Sequence, residues 1–147
     1  MTLVIEAKGL CKHYPSQKEA RLALDGVDLE VASGQLYGLV GPDGAGKTTF
    51  LRILATAMEP TSGTARLNGF DVSKQAEAVR ARLGYMPQAF SLYPDLSVME
   101  NLQFFADIYG VPREKQKNRI DELLEFARLT DFTKRRSENL SGGMRKK

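Results

Sequence analysis

The stretch Gly41-Pro42-Asp43-Gly44-Ala45-Gly46-Lys47-Thr48 decides how this sequence is interpreted. It fits G-x-x-x-x-G-K-[ST] at every fixed position, a pattern typical of loops that bind phosphate groups. The preceding run, residues 36–40, is short and apolar and predicts a strand buried on both faces. The following residues, Lys47 to Met58, predict a helix that Pro60 closes. Its apolar face consists of Phe50, Leu51, Leu54 and Ala55. A plain glycine turn that binds nothing is the alternative, and the strand–loop–helix context disfavours it.

The residue types in this loop suit a triphosphate. Gly41, Gly44 and Gly46 leave space for backbone N–H groups to reach phosphate oxygens. The helix start adds unpaired N–H groups and a favourable dipole end. Lys47 then reaches the β- and γ-phosphates, and the hydroxyl of Thr48 is a ligand for Mg²⁺. Asp43 adds a carboxylate beside the phosphates or points away from them, and the sequence leaves both possibilities open.

Composition excludes several classes of protein. The 147 residues suffice for one domain, and no apolar run approaches the roughly 20 residues that span a bilayer. The N-terminus lacks the pattern of a secretory signal, so we expect a cytoplasmic protein. A single cysteine, Cys11, excludes an internal disulfide and a cysteine-based metal cage. The net charge of +3 comes from residues 134–147, whereas a nucleic-acid binder would more often carry a basic stripe across its fold, so we expect no nucleic-acid partner.

The first part of the chain reads as mixed α/β. Alternating apolar residues predict strands from Leu3 and from Leu24 to Val31. Residues 63–72 predict a further extended segment with a turn at Asn68-Gly69. Ser73 is the expected cap of a helix through Arg82, and residues 83–87 predict a brief strand that ends at Pro87.

The later part of the chain reads as helical. Ser97 and Glu100 stand in capping-box positions before a helix to Tyr109. A second helix is predicted from Arg113 to Leu129, with Ile120, Leu123, Leu124 and Ala127 on its apolar face.

Leu140-Ser141-Gly142-Gly143-Met144 forms a second candidate anion site. Ser141 is a good N-cap, and two glycines at a helix start expose N–H donors. A plain capped helix start fits this stretch equally well when it is taken in isolation.

The order of these motifs resembles that of ABC-transporter ATPases. A phosphate loop, then Tyr85-Met86-Pro87-Gln88, then helices and finally Leu140-Ser141-Gly142-Gly143 follow one another as in that family. The stretch from Leu92 to Leu102 is similar to the segment that ATP-binding subunits of bacterial ABC-2-type exporters carry after their Q-loop. The resemblance covers essentially the whole chain. It implies an α/β fold of the P-loop NTPase type, with N-terminal antiparallel strands, a P-loop strand and helix, and a helical subdomain.

The resemblance also implies roles for individual residues. Lys47 and Gln88 would be catalytic, Thr48 and Gln88 would contact Mg²⁺, and Tyr14 would stack on adenine. A strand-end tyrosine and a surface glutamine are the plainer interpretations of Tyr14 and Gln88. The residues expected to bind ATP are Tyr14, Gly41, Pro42, Asp43, Gly44, Ala45, Gly46, Lys47, Thr48, Thr49, Ser141, Gly142 and Gly143. Met144 in place of the commonest signature glutamine and Asp43 in place of asparagine are departures that do not argue against ATP binding.

Domain organisation and partners follow from the same resemblance. We expect one partial ATP-binding cassette, with residues 1–89 as its nucleotide-binding part and residues 90–147 as a helical subdomain that ends in the signature motif. Its partners would be a second cassette, arranged head to tail with two ATP between the chains, and a membrane-spanning permease at the inner face of the plasma membrane. The contact surface for the permease is expected between Phe90 and Tyr109, although Phe90, Tyr93, Phe104 and Phe105 could equally be core residues.

The sequence also sets an expectation about activity. The family's Walker B strand, with its catalytic glutamate, is not found in these residues, so the full-length relative is expected to hydrolyse ATP during export and this chain alone is not. Three alternatives remain: a small-molecule kinase with a phosphate loop, a non-transport cassette acting on DNA or ribosomes, and a non-catalytic nucleotide-binding fragment.

Overall fold

The computed structural model describes residues 2–15, 21–88 and 92–145. The chain divides into two compact units, residues 1–85 and 86–147, which are described separately below. The boundary expected between residues 89 and 90 separates a nucleotide-binding part from a helical subdomain, and this division by function stays a prediction. In the described parts of the chain, no helix combines the length and apolar character needed to cross a bilayer.

The first unit is built on an antiparallel sheet, as the alternating apolar pattern predicts. Its strands are β1 (Leu3–Tyr14), β2 (Arg21–Ala32), β3 (Ser62–Leu67) and β4 (Phe70–Asp71), in the order β2-β1-β3-β4. Between β3 and β4, Asn68 and Gly69 have φ angles of 50° and 80°, the left-handed conformation that Asn-Gly hairpin turns adopt. The predicted extended segment with its turn is therefore confirmed.

Helix α1 (Lys47–Leu54) packs on one face of this sheet. Ile53 is completely buried and Phe50 and Leu54 nearly so, whereas Leu51 is 47% exposed. The prediction of Leu51 on the buried face was therefore wrong, and Ile53 takes that place. The helix is also shorter than predicted, because Thr56 has a φ of 57°, which a helix cannot continue through.

A short helix, α2 (Ala76–Arg80), follows the sheet. Ser73 does not cap it, contrary to the prediction, because Gln75 stands at the N-cap. The carboxylate of Asp71 instead accepts hydrogen bonds from the N–H groups of Ser73 and Lys74, at 3.0 and 3.1 Å. This local turn competes with an earlier start of the helix.

Two predicted strands, residues 36–40 and 83–87, are not strands in the structure. Leu36 and Val40 are fully exposed, and Met86 is 86% exposed. A strand is maintained by hydrogen bonds to a neighbour, and no neighbour pairs with these segments within the described residues. The apolar pattern of both segments suits strands of a buried sheet, but neither segment belongs to the four-stranded sheet.

The second unit contains α3 (Val98–Ile108), α4 (Arg113–Ala127) and the four-residue α5 (Gly142–Arg145). Its core consists of Val98, Ile120, Leu124, Leu129 and Leu140. The predicted capping box is confirmed: the hydroxyl of Ser97 accepts from the N–H of Glu100, and the carboxylate of Glu100 accepts from the N–H of Ser97.

The ends and faces of these helices differ in part from the prediction. Helix α4 ends at Ala127 rather than Leu129, because Arg128 adopts a left-handed φ of 53°. Leu123 is 38% exposed and so does not belong to the buried face. Tyr109, the predicted last residue of its helix, is the C-cap that follows Ile108 and is 79% exposed.

Candidate functional site

The loop of residues 41–46 connects segment 36–40 to helix α1, and its last residue, Gly46, lies against β2. Gly46 is the N-cap of α1 and has a φ of 87°. A Cβ atom at this position would lie 2.2 Å from the carbonyl oxygen of Ala23, which is far too close for any real contact. Gly44 also has a positive φ, of 83°. The overlap requires glycine at position 46, and the positive φ at position 44 favours glycine there as well.

Lys47 folds back over the same loop. Its ammonium group donates hydrogen bonds to the carbonyl oxygens of Gly41 and Pro42, at 2.6 and 2.7 Å. The positive charge therefore lies within the loop's curve rather than extending into solvent. An anion that entered the loop would meet this charge directly.

The start of α1 provides further donors for an anion. The first helical hydrogen bond runs from the N–H of Phe50 to the carbonyl oxygen of Gly46, at 2.9 Å. The N–H groups of Lys47, Thr48 and Thr49 precede this ladder, as in every helix. The first turn has no acidic side chain and no side-chain cap, so a negative ligand would not compete with either. Asp43 and the side chain of Thr48 are exposed.

Tyr14, 35 residues away in sequence from Thr49, is brought to the same helix. Its hydroxyl lies 3.2 Å from the hydroxyl of Thr49 and 3.1 Å from the sulfur of Met58. The half-buried ring thus lies beside α1 at the end of β1. The structure therefore brings Tyr14 beside the helix that follows the glycine loop, within one unit.

The remaining candidate residues lie in the second unit. Gln88 is exposed, and so are Ser141, Gly142 and Gly143. The hydroxyl of Ser141 accepts a hydrogen bond from the N–H of Met144 at 3.3 Å, so Ser141 caps α5 as its residue type predicts. Phe90, part of the expected permease contact, lies outside the described residues.

Sequence reasoning missed the polar centre of the second unit. Asn101 and Ser137 are both completely buried, and they are hydrogen-bonded to each other at 2.9 Å. Asn101 lies three residues after the buried Val98, at a position where the helical pattern demands an apolar residue. An asparagine on an apolar stripe was the signal that could have revealed it.

Comparison with known proteins settles the family. A protein-family model described as "ABC transporter" matches residues 24–147. The chain belongs to the ABC transporter family. The structure of this ABC transporter chain has a TM-score of 0.84 to a dimeric, post-hydrolysis ATP-binding cassette bound to ADP and Pi, at 27% identity and covering 96% of this chain and 65% of that one. The predicted α/β cassette fold is therefore confirmed.

Curated relatives of this ABC transporter chain are named as ATP-binding proteins of exporters. One is a protein of Escherichia coli K12 named "Probable multidrug ABC transporter ATP-binding protein", to which this chain is 48% identical. The alignment covers 98% of this chain and 25% of that protein. Another is the Nod factor export ATP-binding protein I of Cupriavidus metallidurans, to which this chain is 41% identical. The alignment covers 100% of this chain and 47% of that protein. The chain thus spans between a quarter and about half the length of these relatives.

Proposed function

We propose that this chain binds Mg-ATP through residues 41–49 and acts as the ATP-binding part of an ABC exporter. The observation that carries the proposal is the position of the ammonium group of Lys47, 2.6 and 2.7 Å from two carbonyl oxygens of the glycine loop. A phosphate group that displaces these carbonyls meets one full positive charge and the N–H groups of the helix start. Charge-assisted hydrogen bonds of this kind are about twice as strong as neutral ones.

The position of Tyr14 favours binding of a whole nucleotide, including its base, over binding of phosphate alone. Its hydroxyl lies 3.2 Å from Thr49, in the first turn of the helix that would carry the phosphates. An aromatic ring at this place suits stacking of a base, and aromatic rings present a large surface with little entropy to lose.

Thr48 would be a ligand of Mg²⁺ beside the phosphate oxygens, and the contact with Mg²⁺ that the resemblance implies for Gln88 stays a prediction. The side chains of Thr48 and Gln88 are exposed and present oxygen ligands, which Mg²⁺ prefers. Within the described residues, no group of three or more His, Cys, Asp or Glu side chains gathers to hold a metal ion unaided. When bound, the ion would neutralise charge on the β- and γ-phosphates.

Ser141, Gly142 and Gly143 would face the nucleotide of a second cassette. All three are exposed, and exposed N–H groups at a helix start favour an anion. The solved cassette that this chain resembles is dimeric and holds ADP and Pi. We infer a head-to-tail dimer that closes on two ATP molecules.

The helical unit would contact a membrane-spanning permease, which would place the protein at the inner face of the plasma membrane. Tyr93, Phe104, Phe105 and Tyr109 form a row of ring contacts with centroid separations of 4.8 to 6.4 Å. Tyr93 and Tyr109 are 48% and 79% exposed, so this row reaches the surface.

A role in transport is supported by the family match and by relatives named as exporters. Neither finding favours a small-molecule kinase or a cassette acting on nucleic acid.

Hydrolysis of ATP additionally needs a group that orients the attacking water. In the family that group is the catalytic glutamate of the Walker B strand, and none of these 147 residues matches it. We therefore propose that they bind ATP and that they do not turn it over by themselves.

Isothermal titration calorimetry of the full polypeptide with Mg-ATP and with inorganic tripolyphosphate tests the proposal. Lys47→Ala should weaken both ligands by between about tenfold and a hundredfold, the range for losing a hydrogen bond from a charged group. Lys8→Ala removes a lysine from an exposed position of β1 and should leave both affinities unchanged. Absence of binding to the unmodified protein, or equal binding by Lys47→Ala, contradicts the proposal.

A further inference from the structure

The hydroxyl of Tyr14 bridges the two ends of the α1 region. It lies 3.2 Å from the hydroxyl of Thr49, in the first turn of α1, and 3.1 Å from the sulfur of Met58, beyond the end of the helix. A phenol has one hydrogen to donate. Met58 offers only an acceptor, whereas between Tyr14 and Thr49 either hydroxyl can be the donor. The hydroxyl of Tyr14 thus contacts the side chains of both Thr49 and Met58.

The backbone that carries Tyr14 is fastened independently of this hydroxyl. The N–H of His13 donates to the hydroxyl of Thr61 at 2.9 Å, and the N–H of Thr61 donates to the carbonyl oxygen of Cys11 at 2.9 Å. The ammonium group of Lys12 donates to the carbonyl oxygen of Glu59 at 2.6 Å. The end of β1 therefore stays in place without the tyrosine hydroxyl, and what the hydroxyl fixes is where the outer end of the ring lies.

One face of the ring is already occupied. The ammonium nitrogen of Lys12 lies 5.7 Å from the ring centroid, within the range of a cation–π contact. We expect a nucleotide base to stack on the face opposite Lys12. The position of that face depends on where Thr49 and Met58 hold the outer end of the ring.

We propose that Thr49 and Met58 are positioning residues that hold the ring of Tyr14 ready for a nucleotide base before the nucleotide binds. The inference rests on the proposed function, because it assumes that the phosphates bind at residues 41–49. Thr49 lies two positions after Lys47, so one helical turn fixes both the phosphate site and the ring. Fixing a binding surface in advance lowers the entropy that the ligand must lose on binding.

The test compares Mg-ATP with inorganic tripolyphosphate, which has the phosphates and no base, by calorimetry on the full polypeptide. Tyr14→Phe keeps the ring and removes the hydroxyl. It should weaken Mg-ATP by about three- to tenfold, the effect of one ordinary hydrogen bond, and leave tripolyphosphate unchanged. Met58→Leu keeps the volume and removes the sulfur acceptor, and it should shift the ratio of the two affinities in the same direction by about twofold. Thr49→Val should shift this ratio and Thr49→Ser should restore it, because serine keeps the hydroxyl.

Each outcome bears on one of the two proposals. If Tyr14→Phe and Met58→Leu bind Mg-ATP like the unmodified protein while Tyr14→Leu binds it more weakly, the ring contacts the base but needs no positioning, and the inference is overturned. If Tyr14→Leu also leaves the ratio unchanged, the base does not use Tyr14, and the inference is again overturned. If the unmodified protein binds neither ligand, the proposed function itself fails.

Discussion

The side-chain amide of Asn101 donates a hydrogen bond to the hydroxyl of Ser137 at 2.9 Å, and both side chains are completely buried. The same amide nitrogen lies within 3.2 Å of the carbonyl oxygens of Tyr93, Leu96 and Ser97, and the amide oxygen accepts from the N–H of Tyr93. One side chain therefore connects the turn before α3 to the segment that leads to Ser141.

Replacing Asn101 with alanine should destabilise the protein by about 1–3 kcal/mol, because buried backbone groups would lose their partners. Ser137→Ala removes one of these bonds and should cost less. Urea unfolding measures both, with Gln103→Ala, an exposed position of the same helix, as the control that stays within about 0.5 kcal/mol. A stability of Asn101→Ala equal to that of the control would show that the buried bonds contribute nothing.

Substituting Gly46 with alanine should destabilise the fold by at least about 2 kcal/mol, the combined effect of a left-handed backbone and a steric overlap. The new Cβ atom would lie 2.2 Å from the carbonyl oxygen of Ala23, so the loop must move away from β2. Thermal unfolding measures the loss. Gly84→Ala is the matched control, because its Cβ atom would meet nothing within 4 Å. Equal melting temperatures for the two variants would contradict the prediction.

Features decided by neighbouring residues could be predicted from the sequence. The capping box of Ser97 and Glu100, the Asn68-Gly69 turn and the glycine loop each depend on contacts within a few residues, and all three form as expected. The family resemblance was visible for the same reason, since its motifs are short and their order is fixed.

Features decided by distant partners could not be predicted. Residues 36–40 have the apolar pattern of a buried strand, yet a strand forms only where another one pairs with it. The contact of Tyr14 with Thr49 depends on the register that places the end of β1 beside α1, and no local pattern specifies that register.

The capping box should stabilise the protein in a pH-dependent way. The hydroxyl of Ser97 and then its N–H lower the pKa of Glu100 below the ordinary value of 4.5, with a smaller contribution from the charge of Arg136. A lowered pKa in the folded state means that the stabilisation is fully present above about pH 4.5 and is lost as the pH falls through the lowered value. Urea unfolding should therefore show a difference between the unmodified protein and Glu100→Gln at pH 7 that shrinks at pH 3.

Glu125→Gln, at an exposed position of α4, removes one negative charge outside the capping box and serves as the control. If the difference for Glu100→Gln is the same at both pH values, the carboxylate of Glu100 does not contribute through its charge. Ser97→Ala, which removes the cap itself, should cost about 1 kcal/mol at pH 7.

Segment 36–40, exposed apart from the partly buried Leu39, should cause the 147-residue chain to self-associate. Leu36 and Val40 are fully exposed, and extended apolar backbone without a neighbour readily pairs with another chain. Leu36→Lys adds a charge to this segment and should reduce the association seen in sedimentation velocity as the concentration rises. Phe126→Lys is the control for exposed apolar surface in general, because Phe126 is 88% exposed on a helix that offers no strand edge. If Phe126→Lys reduces association as strongly as Leu36→Lys, ordinary hydrophobic contact and not strand pairing joins the chains.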